Sequence, residues 1–308
     1  MRERYHKGKI ALLVIWSVIA AIILGVMLTA MTTDYFSKES FGFSSGPSQE
    51  IKRDFDQSNF NAISVYGAAA DVQVRASSDE QVHVSLKYPQ KDKSSPYAIT
   101  TENKTLKIQT SLGWHWILDF GGTGNRYTIT VAIPADYKRD LEIHSDSGDV
   151  SLPNQLTLHR LMLQNVSGDS HGGHIEADYA EIQSTSGDAR LTELKATEYA
   201  IKQVSGDFST DSLSGRGKIT ETSGDLKVGV EQLSGSLEIS SVSGDIRAAL
   251  KDGNSAKTEM HSVSGDLHSD YPMTYADSHH ASAIIGSNTS TALSIHTTSG
   301  DISLTRSK

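Results

Sequence analysis

Hydrophobic positions in the second half of this chain recur at two scales. Over a few residues apolar and polar side chains alternate, and the whole pattern returns about every twenty residues. The longer repeat is marked by Ser-Gly-Asp, which occurs eight times, with glycines Gly148, Gly168, Gly187, Gly206, Gly224, Gly244, Gly265 and Gly300. The first seven lie 18 to 21 residues apart, and the last gap is 35. A fixed period of this length marks a solenoid, each repeat one coil stacked on its neighbour.

Counted back five residues from each glycine stand Ile143, Leu163, Ile182, Ile201, Ile219, Ile239, Met260 and Ile295. Seven back are Leu141, Leu161, Ala180, Tyr199, Leu237 and Leu293, with Gly217 and Thr258 as exceptions. Two back is Val or Thr, except for Asp146 in the first repeat. Two forward are Val150, Ala189, Phe208, Leu226, Ile246, Leu267 and Ile302, with Ser170 the exception. Apolar residues two apart define a half-buried strand, and a second strand starts after the glycine. Glycine tolerates positive φ, so the chain can turn sharply between the two. A further corner is expected where Gly215, Gly235 and Gly253 fall, and no helical period is sustained after residue 140. The expected fold is all-β: a parallel β-solenoid (β-helix) of about eight coils over residues 140–308, with an aliphatic ladder inside.

Two irregularities carry expectations of their own. Residues Tyr271 to Ile285 lengthen the last interval by about fifteen residues and should leave the stack as a loop. Asp301 to Thr305 would form the final coil, with only three residues after it. Such an edge, guarded by Arg306 and Lys308, would be open to strand addition or self-association.

The aspartates Asp149, Asp169, Asp188, Asp207, Asp225, Asp245, Asp266 and Asp301 should stand in a column about 4.8 Å apart. At that spacing carboxylates must be solvated, bonded to turn amides or bridged by cations. Structural capping of each turn is one reading and a Ca²⁺ column the other. The chain lacks the glycine-rich nonapeptide of Ca²⁺-binding β-rolls, which favours capping, with no metal or cofactor.

Upstream, residues 56–139 hold alternating segments without the motif: Ala62–Tyr66, Asp71–Arg75, Gln81–Leu86, Thr105–Gln109 and Tyr127–Ile133. A β-rich cap is expected there, either a separate domain or continuous with the solenoid. Residues 32–55 read as a tether. Arg2, Arg4, Lys7 and Lys9 (within residues 1–9) precede an uncharged stretch from Ile10 to Met31, long enough to span a bilayer. The expectation is an uncleaved, single-pass signal anchor, with the basic flank in the cytoplasm and the rest extracytoplasmic on a bacterial cell membrane.

Past the anchor remain 24 basic and 36 acidic residues, a net charge of −12, which argues against nucleic acid as a partner. The chain has no cysteine, which excludes a disulfide framework.

Candidate chemistry is sparse. Gly42-Phe-Ser-Ser-Gly46 fits a nucleophile-elbow pattern but lies in the tether, without a strand–helix context. His171–His174 and His279–His280 show no third ligand at metal-site spacing. Gly121–Gly124 lacks the Lys-Ser/Thr of a phosphate loop. Trp114–Phe120 is either strand packing or an exposed aromatic loop.

Together, Ala70-Asp-Val-Gln-Val-Arg75 and the serial [Val/Thr]-Ser-Gly-Asp-apolar repeats resemble the bacterial β-strand-repeat family of putative adhesins. With the membrane segment, the chain is most similar to its LiaG-type members, which are associated with envelope stress. The resemblance covers roughly residues 55–308 and implies a β-helical extracytoplasmic fold without catalytic residues to carry over. The expected function is a non-catalytic binding or scaffold module for an envelope protein or wall polymer. The alternative is a β-helix enzyme acting on polysaccharide, which would concentrate acids and bases on a few coils.

Overall fold

The computed structural model describes residues 48–89, 97–110, 127–287 and 290–307. The expected membrane span, the tether as far as residue 47, the Gly42–Gly46 motif, Trp114–Phe120 and Gly121–Gly124 lie outside them. Among the described residues no helix is long and apolar enough to cross a membrane. They belong to one compact unit, Ser45–Lys308, built from strands and one short 3-10 turn, Gln57–Asn59.

The two-residue alternation folds as the sequence analysis expects. All eight residues five before the glycines are buried, from Ile143 to Ile295, none more than 3% exposed. Neighbouring repeats pair as parallel strands in register, so Leu163 lies between Ile143 and Ile182, and Ile201 between Ile182 and Ile219. Each aliphatic side chain therefore stacks on its counterparts at strand spacing, giving one continuous β-solenoid core. The exceptions in the pattern have packing reasons. A β-carbon on Gly217 would collide with the ring of Tyr199, the large residue at the same position in the neighbouring coil. Ser170 is buried and accepts a hydrogen bond from Asn165 Nδ2 at 3.3 Å.

This alternation is directly testable. Ile201→Asp places an unpaired carboxylate inside the ladder and should cost several kcal/mol, whereas Lys202→Asp, on the exposed side of the same strand, should cost less than about 1 kcal/mol. Chemical denaturation of the two variants checks the difference.

The stacking order departs from the sequence order at both ends. Ala292–Ser299, which leads into Gly300, pairs in parallel with Leu226–Ser243 on one side and Ala256–Ser264 on the other. Ile302–Ser307 is likewise held between Ile246–Lys251 and Leu267–Ser269. The last repeat in the chain is thus inserted between the Gly244 and Gly265 repeats. This corrects the expectation of an open edge at Asp301–Thr305: that segment is flanked by the Gly244 repeat on one side, and Ile302–Leu304 also by Leu267–Ser269. The interval Tyr271–Ile285 is not a free loop either. Thr274–Asp277 and His280–Ile285 form an antiparallel hairpin, and the second strand pairs antiparallel with Ala256–Ser264. An antiparallel cover ends the parallel stack on that face.

The N-terminal end is built the same way. Ala62–Ala68 pairs in parallel with Asp140–Ser145 and, on its other side, with Thr105–Thr110. Asp71–Ala76 pairs with Val150–Ser151 and with Thr128–Ile133. Gln81–Pro89 and Tyr97–Glu102 then add antiparallel strands. Ser48–Asp56, all but its last residue expected to belong to the tether, is a further strand antiparallel to Gln81–Pro89. Its pairing is reasonable on pattern: Ile51 and Phe55 pack on the core while Glu50, Lys52, Arg53 and Asp54 stay in water. One buried cluster runs from Phe60 to Leu304, so residues 56–139 are continuous with the solenoid.

Candidate functional site

The eight motif turns form one corner of the solenoid, in the spatial order Gly148, Gly168, Gly187, Gly206, Gly224, Gly244, Gly300, Gly265. Neighbouring turns come so close that a β-carbon on any of these glycines would lie closer than 3.0 Å to backbone of the adjacent turn. The glycine is therefore required by stacking as well as by its own φ, +108° at Gly206 and +135° at Gly244.

The aspartates stand in a column, as expected, but cap differently. Seven of the eight, all but Asp266 at the end of the stack, accept through Oδ1 the backbone N–H of the aspartate in the next repeat of the stack, not an amide of their own turn. Asp149 accepts from Asp169, Asp169 from Asp188, Asp188 from Asp207, Asp207 from Asp225, Asp225 from Asp245, Asp245 from Asp301 and Asp301 from Asp266, at 2.8 to 3.0 Å. The ladder begins one step earlier than the motif does, because Asp71 accepts from the Asp149 N–H at 3.2 Å. Arg247 adds charge neutralisation, bonding Asp225 Oδ2 at 2.9 Å and Asp245 Oδ2 at 2.8 Å. The Asp245 amide, then Arg247, hold the Asp225 carboxyl below its ordinary value.

Since the bond joins two coils, its loss should show in stability. Asp207→Ala should cost roughly 1 kcal/mol, while Asp207→Asn, which keeps an acceptor, should be nearly neutral. Urea denaturation measures both. A midpoint that rises with added Ca²⁺ would instead support the cation column.

Two further rows flank the turn. On the outside, two residues before each glycine, the spatial order reads Asp146, Val166, Thr185, Val204, Thr222, Val242, Thr298, Val263. From Val166 onward Val and Thr alternate strictly along the stack, although they do not along the sequence. Val166, Val242 and Val263 are 36%, 51% and 60% exposed. With the serines and aspartates beside them they form a corrugated strip of methyl, hydroxyl and carboxylate groups that repeats at strand spacing.

On the inside, three residues before each glycine, runs a buried polar row: Ser145, Asn165, Ser184, Gln203, Glu221, Ser241, Thr297 and Ser262. Several of these residues donate to glycine carbonyls. Asn165 Nδ2 bonds Gly168 O at 2.9 Å, Ser262 Oγ bonds Gly300 O at 3.1 Å, and Gln203 Nε2 bonds Gly187 O. Glu221 is the one acid in the row. Both of its carboxylate oxygens are buried without a hydrogen-bond partner. Burial, then the carboxylates of Asp207, Asp225 and Asp188, push its pKa up to about 7.

The two histidine clusters of the sequence, His171–His174 and His279–His280, fare differently. Among the described residues His171 and His174 are not brought together with a third ligand; His174 pairs with Glu193 at 2.7 Å on an exposed face. His280, by contrast, lies beside His261, and His261 beside His296. This neighbourhood is not legible in the sequence, because it depends on the non-sequential stacking of the Gly300 repeat.

A family model described as Toastrack DUF4097 matches residues 60–305. No curated protein matches the chain in sequence. Among solved structures, a protein described as a putative adhesin from Parabacteroides merdae is similar, at 12% identity and a TM-score of 0.49, covering 85% of this chain and 97% of that one. Another so described, from Bacteroides fragilis, gives 13% identity, a TM-score of 0.45, and 83% and 97% coverage. A third, described as a putative lipid binding protein from Parabacteroides distasonis, gives 14% identity, a TM-score of 0.44, and 84% and 97% coverage. Likenesses this distant say nothing of function.

Proposed function

We propose that this chain, which belongs to the Toastrack DUF4097 family, is a non-catalytic binding module of the bacterial envelope, held to the membrane by residues 10–31. Its extracytoplasmic solenoid presents the turn strip to a wall polymer or an elongated protein partner. The observation that supports the reading is the alternating Val/Thr row with its serine and aspartate neighbours. A rigid surface that repeats its chemistry at about 4.8 Å suits a partner with a repeating or extended backbone. The acidic residue recurs in every turn instead of gathering in a few, which speaks for recognition over catalysis. The LiaG-type resemblance supports a role for such a module in the envelope-stress response.

Photo-crosslinking in living cells tests this, with the reactive group at Val242 on the strip or at Lys195 on another face. Adducts to wall material or a single protein from Val242, absent from Lys195, are the expected result. Equal labelling from both positions would refute the strip as the binding face. Turnover of a polysaccharide by the purified chain would favour the β-helix enzyme.

A further inference from the structure

We propose that His261, His280 and His296 form a binding site for a divalent first-row transition metal such as Zn²⁺. The three residues are 16 to 35 positions apart in sequence, and the fold sets them on three adjacent strands. His261 is in register with His280 in the antiparallel cap on one side. On the other it is in register with His296 in the inserted last repeat. Ring centroids are 5.8 Å apart for His261 and His280, and 6.2 Å for His261 and His296.

Partners able to serve a second sphere stand beside two of the rings. Metal-bound imidazoles characteristically engage their other ring nitrogen with a carboxylate, carbonyl or hydroxyl, which fixes ring orientation and tautomer. Here Glu259 Oε1 holds His280 Nε2 at 3.0 Å, and Ser294 Oγ holds His296 Nε2 at 2.7 Å. Both contacts leave Nδ1 available to a metal, and His261 stands between the two rings. Three neutral imidazoles with water completing the shell suit Zn²⁺, Cu²⁺ or Ni²⁺ rather than Ca²⁺ or Mg²⁺, which prefer oxygen.

Among the described residues no group of three or more His, Cys, Asp or Glu side chains is set to hold a metal as it stands, and the three rings meet edge to face. Ligation at about 2.0–2.1 Å therefore requires rotation of the side chains. His261 is exposed and His280 and His296 are partly so, and exposed side chains rotate on a picosecond-to-nanosecond scale. A bound ion would tie together the Gly265 repeat, the Gly300 repeat and the cap hairpin, closing the end of the stack.

Isothermal titration of the full-length chain with ZnCl₂ tests the assignment. The expected result is one saturable site per chain, which weakens in acid because metal and protons compete for the same ring nitrogens. His261→Ala and His261→Gln should each lower affinity at least about tenfold, and Glu259→Gln, which acts through His280, by about tenfold. His174→Ala should leave it unchanged, and the melting temperature of the unsubstituted chain should rise with ZnCl₂. Absence of saturable binding, or unchanged affinity in both His261 variants, overturns the site.

Discussion

Gly244→Ala should be among the most destabilising single substitutions in this chain, at about 4 kcal/mol. Two costs add. At φ +135° an L-residue is strained by about 1–3 kcal/mol. The new β-carbon would also press on the Gly224 carbonyl of the adjacent turn, closer than 3.0 Å, and forcing a close-packed contact apart costs a further 1–3 kcal/mol or so. Gly253→Ala separates these costs. Gly253 also has positive φ, +98°, but nothing lies within 4 Å of a β-carbon built on it. It should therefore lose only the strain, about 1–2 kcal/mol. Gly235→Ala, where φ is not positive and the nearest atom is Arg216 Cβ at 3.1 Å, should be the mildest of the three. Denaturant midpoints for the series check the ranking; equal losses at Gly244 and Gly253 would mean that close stacking of the turns is not what selects glycine.

The second large effect has the opposite sign. Glu221→Gln should stabilise the protein at pH 8. The carboxyl titrates at about 7 when folded, against an ordinary value of 4.5, because burial and the aspartates outside it disfavour its charge. Below about pH 4.5 both folded and unfolded chains carry the proton, and Glu221 takes nothing from stability. As pH rises from 4.5 through 7 the unfolded chain releases the proton first, so the fold progressively loses stability. At roughly 1.4 kcal/mol per pH unit the loss approaches about 3 kcal/mol above pH 7. Glutamine is already accommodated at this position one repeat away, where Gln203 donates to the Gly187 carbonyl. The amide of Glu221→Gln can donate to a glycine carbonyl in the same way and cannot ionise. At pH 8 the melting temperature should rise by about 5–10 °C, using the scaling for a unit of this size. The slope of stability against pH between 4.5 and 7 should flatten. A variant less stable at pH 8, with the slope intact, would contradict this account of the inner row.

Much of the fold is legible in the sequence because a solenoid repeats one solution to one packing problem. Eight glycines and the apolar positions five before them specify turn, strand and inward face without long-range information. The chain order of the stack is not legible by that logic. The local pattern around Gly300 is compatible with a place beside Gly265 or beside Gly244, and only the antiparallel hairpin of residues 274–285, covering the far side of Ala256–Ser264, leaves the inner place for it. A ninth member of the aspartate ladder was also present but disguised. Ala70-Asp71 replaces Gly-Asp, yet Ile63, Val65 and Val72 stand seven before, five before and two after Ala70, the same offsets as in the repeats. Searching by apolar offsets, and not by tripeptide, would have found it. Ser48–Asp56 was missed because its charges suggest a tether; an edge strand carries charges for its own protection. The histidine neighbourhood could not be read at all, since it exists only once the repeats are stacked out of order.

The chain's lack of cysteine allows that order to be tested on an otherwise unreactive background. Arg247, Ser303 and His268 occupy the same position, three residues after their glycines, and Ser303 is in register with both of the others. Cysteine pairs at 247/303, 303/268 and 247/268, treated with a bifunctional thiol reagent that spans about 5 Å, decide which strands are neighbours. The account predicts crosslinking of 247/303 and of 303/268, and none for 247/268, which lie two strand spacings apart, about 9.6 Å. Efficient crosslinking of 247/268 without 247/303 would mean that the repeats stack in sequence order, and would contradict the inserted last repeat.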